Sequence, residues 1–269
     1  MRDDLKKCYK KILVLVMVLV MAAEVAGNYS LVAAADYSRY SNSKKSWYIM
    51  RQDKHKVSGG ADTAKNLRKY DAYYYDSKSK DKVMYICFDC GYEGGYTKGM
   101  LKVLKKHNVK ANFFVTKAFV EQQPKLCKKM KKEGHIVGNH TMNHPSLPSV
   151  SEKKLKSEVN GLAKLFKEKT GYRLDKYIRP PMGEYSNRVL KILSDMGYKS
   201  IFWSIAYMDY DVNKQPGKSY VVDHFKKYYH KGAITLTHNI SKSNAEALDD
   251  VLTYLEKKGY RFATLDELK

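Results

Sequence analysis

Four short clusters hold the side chains able to do chemistry, and each follows an apolar run of strand length. In Cys87-Phe88-Asp89-Cys90-Gly91 a carboxylate precedes a glycine at the end of such a run. Asp89 there suits a general base, and it suits a turn former or helix cap as well. Gly138-Asn139-His140-Thr141-Met142-Asn143-His144-Pro145 separates two imidazoles by three residues. On a helical turn such a pair faces one way and chelates one metal ion; the alternative is a chance surface pair, although no apolar face claims either ring. Arg179-Pro180-Pro181-Met182-Gly183-Glu184-Tyr185 sets a guanidinium before two prolines and a glycine turn. It either orients a carboxylate through paired hydrogen bonds or caps strand carbonyls. Leu236-Thr237-His238-Asn239 brings a third imidazole to the end of a run. Asp89 and His238 together supply what amide hydrolysis requires, a base for the attacking water and an acid for the departing amine. Cys87 and Cys90 share the spacing of thiol oxidoreductases, but that pair opens a helix there, whereas Cys87 sits inside an apolar run.

The elements that must position these residues are legible as a texture. Apolar runs at 83–88, 111–115, 136–138, 177–179, 200–204, 233–237 and 261–264 alternate with amphipathic stretches of helical length. Leu155, Val159, Leu162 and Phe166 recur at steps of three and four, which predicts a helix over 151–170 that ends at Gly171. The same spacing predicts helices over 97–107, 186–196 and 244–258. Alternating strands and helices imply parallel strands and an α/β fold, a distorted (β/α)7 barrel, whose chemistry belongs on loops at the C-terminal ends of strands. Residues 82–269 form the catalytic domain in this reading. Residues 36–81, rich in Tyr, Ser, Lys and Asn, read as an irregular N-terminal extension with one short helix near 63–70.

Composition bounds the partners. The first 35 residues carry Lys6, Lys7, Lys10 and Lys11 ahead of the apolar run Ile12–Ala23, and small residues at 33–35, the features of a signal peptide or an N-terminal membrane anchor. The protein is therefore expected outside the cytoplasm, secreted to the wall or anchored at the outer face of the membrane. Of the +22 formal charge, these 35 residues hold five Lys and Arg against three Asp and Glu, which leaves +20 on the remainder. Such a field gathers anionic wall polymers or a membrane surface, and export argues against nucleic acid. Beyond the apolar run the cysteines are Cys87, Cys90 and Cys127, an odd number, so at least one thiol is expected free of intrachain bonds.

In chain order the clusters resemble the NodB-type polysaccharide deacetylases, carbohydrate esterase family four, over roughly residues 80–265. The matching motifs are Phe88-Asp89-Cys90-Gly91, His140-Thr141-Met142-Asn143-His144, Arg179-Pro180-Pro181-Met182-Gly183, Trp203, and Leu236-Thr237-His238. Gly91-Tyr92-Glu93, Phe202-Trp203-Ser204-Ile205-Ala206-Tyr207-Met208-Asp209 and Gln215-Pro216 point to the PdaA-type branch, the muramic acid de-N-acetylases. The resemblance implies a seven-unit βα fold, with Asp89 as general base, Arg179 orienting it and His238 as general acid tuned by Asp209. It also implies a divalent metal, zinc, on His140 and His144, and an oxyanion site at the backbone N–H after Pro181. Cys90 stands where the family usually has a third, carboxylate ligand, and a thiolate in that place would complete a sound zinc site. Tyr92, Pro181, Met182, Tyr185 and Trp203 are the expected sugar contacts. The implied function is N-deacetylation of peptidoglycan amino sugars, N-acetylmuramic acid above all. The competing expectation is a non-catalytic glycan-binding protein of the same fold.

Overall fold

Val, Ile, Phe and Tyr in short runs favour extended backbone buried on both faces, and these runs become parallel strands. In the computed structural model, which describes residues 36–269, six of them and the strand Ala72–Tyr73 form one sheet. Its order is Thr237–His238, Cys87–Cys90, Asn112–Val115, Ile136–Asn139, Tyr177–Ile178, Lys199–Ile201 and Ala72–Tyr73, parallel throughout. A smaller parallel sheet, Ala233–Ile234, Val83–Tyr85 and Arg261–Phe262, continues two of these runs on their N-terminal side. Bridges from Ile205 to Thr235 and from Tyr75 to Ala233 curl the edges toward each other, which gives the distorted barrel. The signal or anchor expected over 1–35 lies outside the described residues.

A strand's period of two decides what each cluster residue faces. On Cys87–Cys90, Phe88 and Cys90 turn outward into a layer with Met100, Leu104, Phe113 and Val115, while Cys87 turns inward among Tyr85, Phe114 and Ile201. Asp89 shares the inward side with Cys87 and reaches the mouth of the barrel. The helices that cover the outer layer start and stop where their caps dictate. Ser151 accepts from Lys154 N at 3.2 Å to open Glu152–Thr170, and Gly171 closes it at φ 78°. Thr97–Lys106, Asn187–Asp195 and Lys242–Lys257 match expectation, while Lys117–Gln122, Pro124–Lys132 and Lys218–Tyr228 have no counterpart in the sequence reading.

The segment 36–81 requires a correction. It holds the expected short helix, Ala64–Arg68 capped by Thr63, but Ala72–Tyr73 is also an edge strand of the main sheet. Trp47, Leu67 and Tyr74 bury against Tyr185, Leu190 and Phe202, so the segment is part of the one unit Tyr37–Lys269. A two-residue strand is too short to leave a periodic signal.

Candidate active site

The C-terminal ends of Cys87–Cys90, Ile136–Asn139 and Thr237–His238 deliver Asp89, His140 and His238 to one cleft of about 570 Å³, and Arg179, which follows Tyr177–Ile178, lies buried against Asp89. Asp89 and His238 are directly paired in register on adjacent strands. Arg179, fully buried, spans the barrel mouth. Its Nη1 donates to Asp89 Oδ1 at 2.8 Å, its Nε to the Ile201 carbonyl at 3.2 Å and its Nη2 to the Thr235 carbonyl at 3.1 Å. The guanidinium thus bonds one carboxylate oxygen through a single N–H, rather than the paired bonds expected, and caps two strand carbonyls. Burial works against charge on Asp89, but the Arg179 charge, helped by His140 and His238, overrides it and holds the carboxyl below its ordinary range.

His140 and His144 lie on an irregular loop rather than on the helical turn the spacing suggested. Thr141 and His144 take φ of 67° and 55°, and the Thr141 hydroxyl accepts from His144 N at 3.1 Å, which folds the second ring back over the first. The Nε2 atoms end 3.1 Å apart. His140 Nδ1 donates to the Arg179 carbonyl at 2.8 Å, so its Nε2 carries only a lone pair, turned to the cleft. Burial pushes His140 down to about 4 and lowers His144 too, which favours the neutral rings that can bind a cation. Among the described residues no three His, Cys, Asp or Glu side chains form a complete metal-binding set. The neutral pair nevertheless fits two neighbouring ligands of one ion: with bonds of about 2.0–2.1 Å, tetrahedral ligand atoms lie about 3.4 Å apart.

Cys90 is not a third ligand. It faces the outer layer beside Cys127, and burial raises its thiol well above the ordinary value, so it stays neutral. The motif offers Cys90 next to Asp89, and for that reason the strand sends it to the opposite face. The same geometry separates Cys87 from Cys90; all three described cysteines are free and buried, which removes the redox reading. Across the cleft, His238 Nδ1 meets Asp209 Oδ1 at 2.7 Å, and the buried Asp209 also accepts from His238 N at 2.7 Å. Burial disfavours the charged imidazole, but the hydrogen bond and charge of Asp209, with the charge of Asp89, outweigh it and raise His238 above its usual pKa.

Tyr92, Met182 and Trp203 line the cleft as expected. Pro181 and Tyr185 do not. Pro180 lines the cleft while Pro181, also buried, does not, and Tyr185 is wholly buried on Phe202, with ring centroids 4.9 Å apart. Tyr210, Asn239 and Ile240 line the cleft without having been singled out. Tyr210 is half exposed and stands edge-on to His238 at 5.9 Å. Its place directly after Asp209 was the available signal.

The sequence profile of the polysaccharide deacetylase family matches residues 76–201. Peptidoglycan-N-acetylmuramic acid deacetylase PdaA of Bacillus subtilis is 42% identical over 236 residues, 87% of this chain and 89% of that protein. The solved structure of Bacillus subtilis PdaA, a family 4 carbohydrate esterase, superposes with a TM-score of 0.81 at 43% identity, covering 85% of this chain and 97% of that one. A family 4 carbohydrate esterase from Bacillus anthracis gives 0.70 at 38% identity, with the same coverage. With its motifs gathered in one cleft and its likeness extending along most of both chains, this protein belongs to the polysaccharide deacetylases, the family 4 carbohydrate esterases, which hydrolyse amide C–N bonds.

Proposed function

We propose that this chain removes the N-acetyl group from N-acetylmuramic acid in peptidoglycan glycan strands, the step that frees the amine for a muramic δ-lactam. The observation that carries the chemistry is the placement of Asp89 and His238 side by side on adjacent strands facing one cleft, with Arg179 2.8 Å from Asp89 and Asp209 2.7 Å from His238. Against the effect of burial, Arg179 lowers the Asp89 carboxyl and Asp209 raises the His238 imidazole from their ordinary values. Environments that push two groups apart in this way assign the base and the acid. Asp89, aimed by Arg179, takes the proton of the attacking water, and His238 gives its proton to the departing sugar amine.

A carboxylate lowered by its arginine partner is a weaker base, so the reaction gains from a divalent cation, for which zinc on His140 and His144 is the assignment. When bound, such an ion polarises the acetyl carbonyl and acidifies the attacking water. The backbone N–H of Met182, in the turn Pro181–Gly183, is the proposed donor to the oxyanion. Tyr92, Trp203 and Tyr210 offer faces for sugar rings. Support for muramic acid as the substrate is the 42% identity to a protein named for that activity over 89% of its length. A wall substrate places the enzyme outside the cytoplasm, where its +20 surplus would hold it to anionic wall polymers or the membrane surface.

That no third donor joins the pair among the described residues favours one competing role, a glycan-binding protein without activity. The deciding experiment treats peptide-stripped peptidoglycan with the protein, digests the product with a muramidase and weighs the fragments. Loss of acetyl mass from muramic acid supports the proposal, loss from glucosamine alone reassigns the substrate, and no loss from either favours binding without catalysis.

A further inference from the structure

Asp209 must keep one orientation if it is to keep both its bonds to His238, and the structure shows what holds it. Besides its two bonds to His238, Asp209 Oδ2 accepts from Asn244 Nδ2 at 2.6 Å. Asn244 lies in the first turn of the Lys242–Lys257 helix, and its amide also donates to the His238 carbonyl at 3.2 Å. Tyr207 fixes which end of that amide faces Asp209: its hydroxyl donates to Asn244 Oδ1 at 2.7 Å and leaves the nitrogen for the carboxylate. Burial, with the charges of Asp209 and Tyr220, raises the Tyr207 phenol well above its ordinary value, so it remains a donor at every working pH.

The main chain of the same loop is secured in parallel. Gln215 Nε2 donates to the carbonyls of Asp209 at 2.9 Å and Asp211 at 2.8 Å, while its Oε1 accepts from Ser241 Oγ at 2.6 Å and Ser243 N at 3.2 Å. Each amide oxygen is claimed by a donor, so neither side chain can flip without losing bonds at both ends. We infer that Asn244 and Gln215, locked by Tyr207 and Ser241, are positioning residues that make the first turn of the Lys242–Lys257 helix a clamp on the Asp209–His238 pair. Freeing Asp209 lets the carboxylate rotate and admits water that screens it, and both effects reduce its hold on the imidazole.

Only the kinetic consequence of this clamp rests on His238 acting as the proposed general acid. The direct test is an NMR titration of the His238 ring in the full chain, its resonance assigned by its loss in His238→Gln. Asp209, Asp89, Arg179, His144 and Tyr210 face that ring and are left intact. Asn244→Ala, Tyr207→Phe and Gln215→Met are each expected to lower the His238 pKa by about one unit. Tyr220→Phe, in the same aromatic cluster, is expected to leave it in place. In acetate release, kcat is expected to fall by up to about 10²-fold with KM retained, and the alkaline limb of the rate profile to move to lower pH. Tyr207→Phe and Gln215→Met are near-isosteric and keep the test open if Asn244→Ala fails to fold. An unmoved His238 pKa in the folded variants overturns the clamp. A lowered pKa in a parent that releases no acetate leaves the clamp standing and removes the deacetylase proposal.

Discussion

At the residue scale the account depends on groups whose charges are set by specific neighbours. Because Asp209 and Asp89 hold His238 above 6.5, the alkaline limb of kcat/KM is expected above that value, since the acid is lost only as pH rises through the raised pKa. Asp209→Asn removes the charge that raises it, so the limb moves to lower pH and kcat falls; a rate profile from pH 5 to 9 checks the sign. His140, pushed down to about 4, is neutral across the same range, and cation binding is expected to survive mild acid and fail toward that value. Treatment with a chelator should abolish acetate release, and added zinc should restore it. His140→Ala should lose activity that zinc does not restore. Asp89, Arg179 and His238 stood out in the sequence because each closes an apolar run, and His140 and His144 because of their spacing. Cys90 was misread because adjacent residues in a motif belong to opposite faces of a strand. Tyr185 was misread because it packs into the core with Trp47, Leu190 and Phe202.

At the element scale the strand Ile136–Asn139 aims His140, and its glycine is the reason it lies so close to its neighbours. A Cβ on Gly138 would stand 2.8 Å from the Tyr177 carbonyl and 2.9 Å from the Phe114 ring. Gly138→Ala is therefore expected to force the Ile136–Asn139 and Tyr177–Ile178 strands apart. The predicted cost is about 1–3 kcal/mol by chemical denaturation, with a loss in acetate release of up to about 10²-fold because His140 and Arg179 both move. Equal stability and activity in the variant would show that the close approach has no role in placing the site. Long amphipathic helices with clear caps, such as Glu152–Thr170, were readable from spacing alone. The helix Lys218–Tyr228 was not, because Tyr, His and Lys interrupt its apolar stripe. The strand Ala72–Tyr73 is specified by its partner Lys199–Ile201 rather than by its own two residues.

At the scale of the whole molecule, the segment ahead of the repeating βα units is structural. Trp47 is buried, stacks on Phe202 at 5.0 Å, donates from Nε1 to the Trp203 carbonyl at 3.0 Å, and its backbone N donates to the Gly183 carbonyl at 2.9 Å. It thereby supports two walls of the cleft from behind. Trp47→Ala is expected to cost about 3–5 kcal/mol, read as a lower guanidinium midpoint, and to weaken acetate release by loosening Trp203 and the Pro181–Gly183 turn. Composition showed the charge surplus but not this dependence, since tertiary packing leaves no local period. The central claim is that Asp89 and His238 act across one cleft on the N-acetyl group of a wall glycan. Its most direct test is acetate release from peptide-stripped peptidoglycan by the zinc-loaded full chain and by Asp89→Asn, in which the amide oxygen can still accept from Arg179. The account predicts release by the parent and a fall of at least about 10²-fold in the variant at unchanged zinc content; equal release by both, or none by the parent, would contradict it.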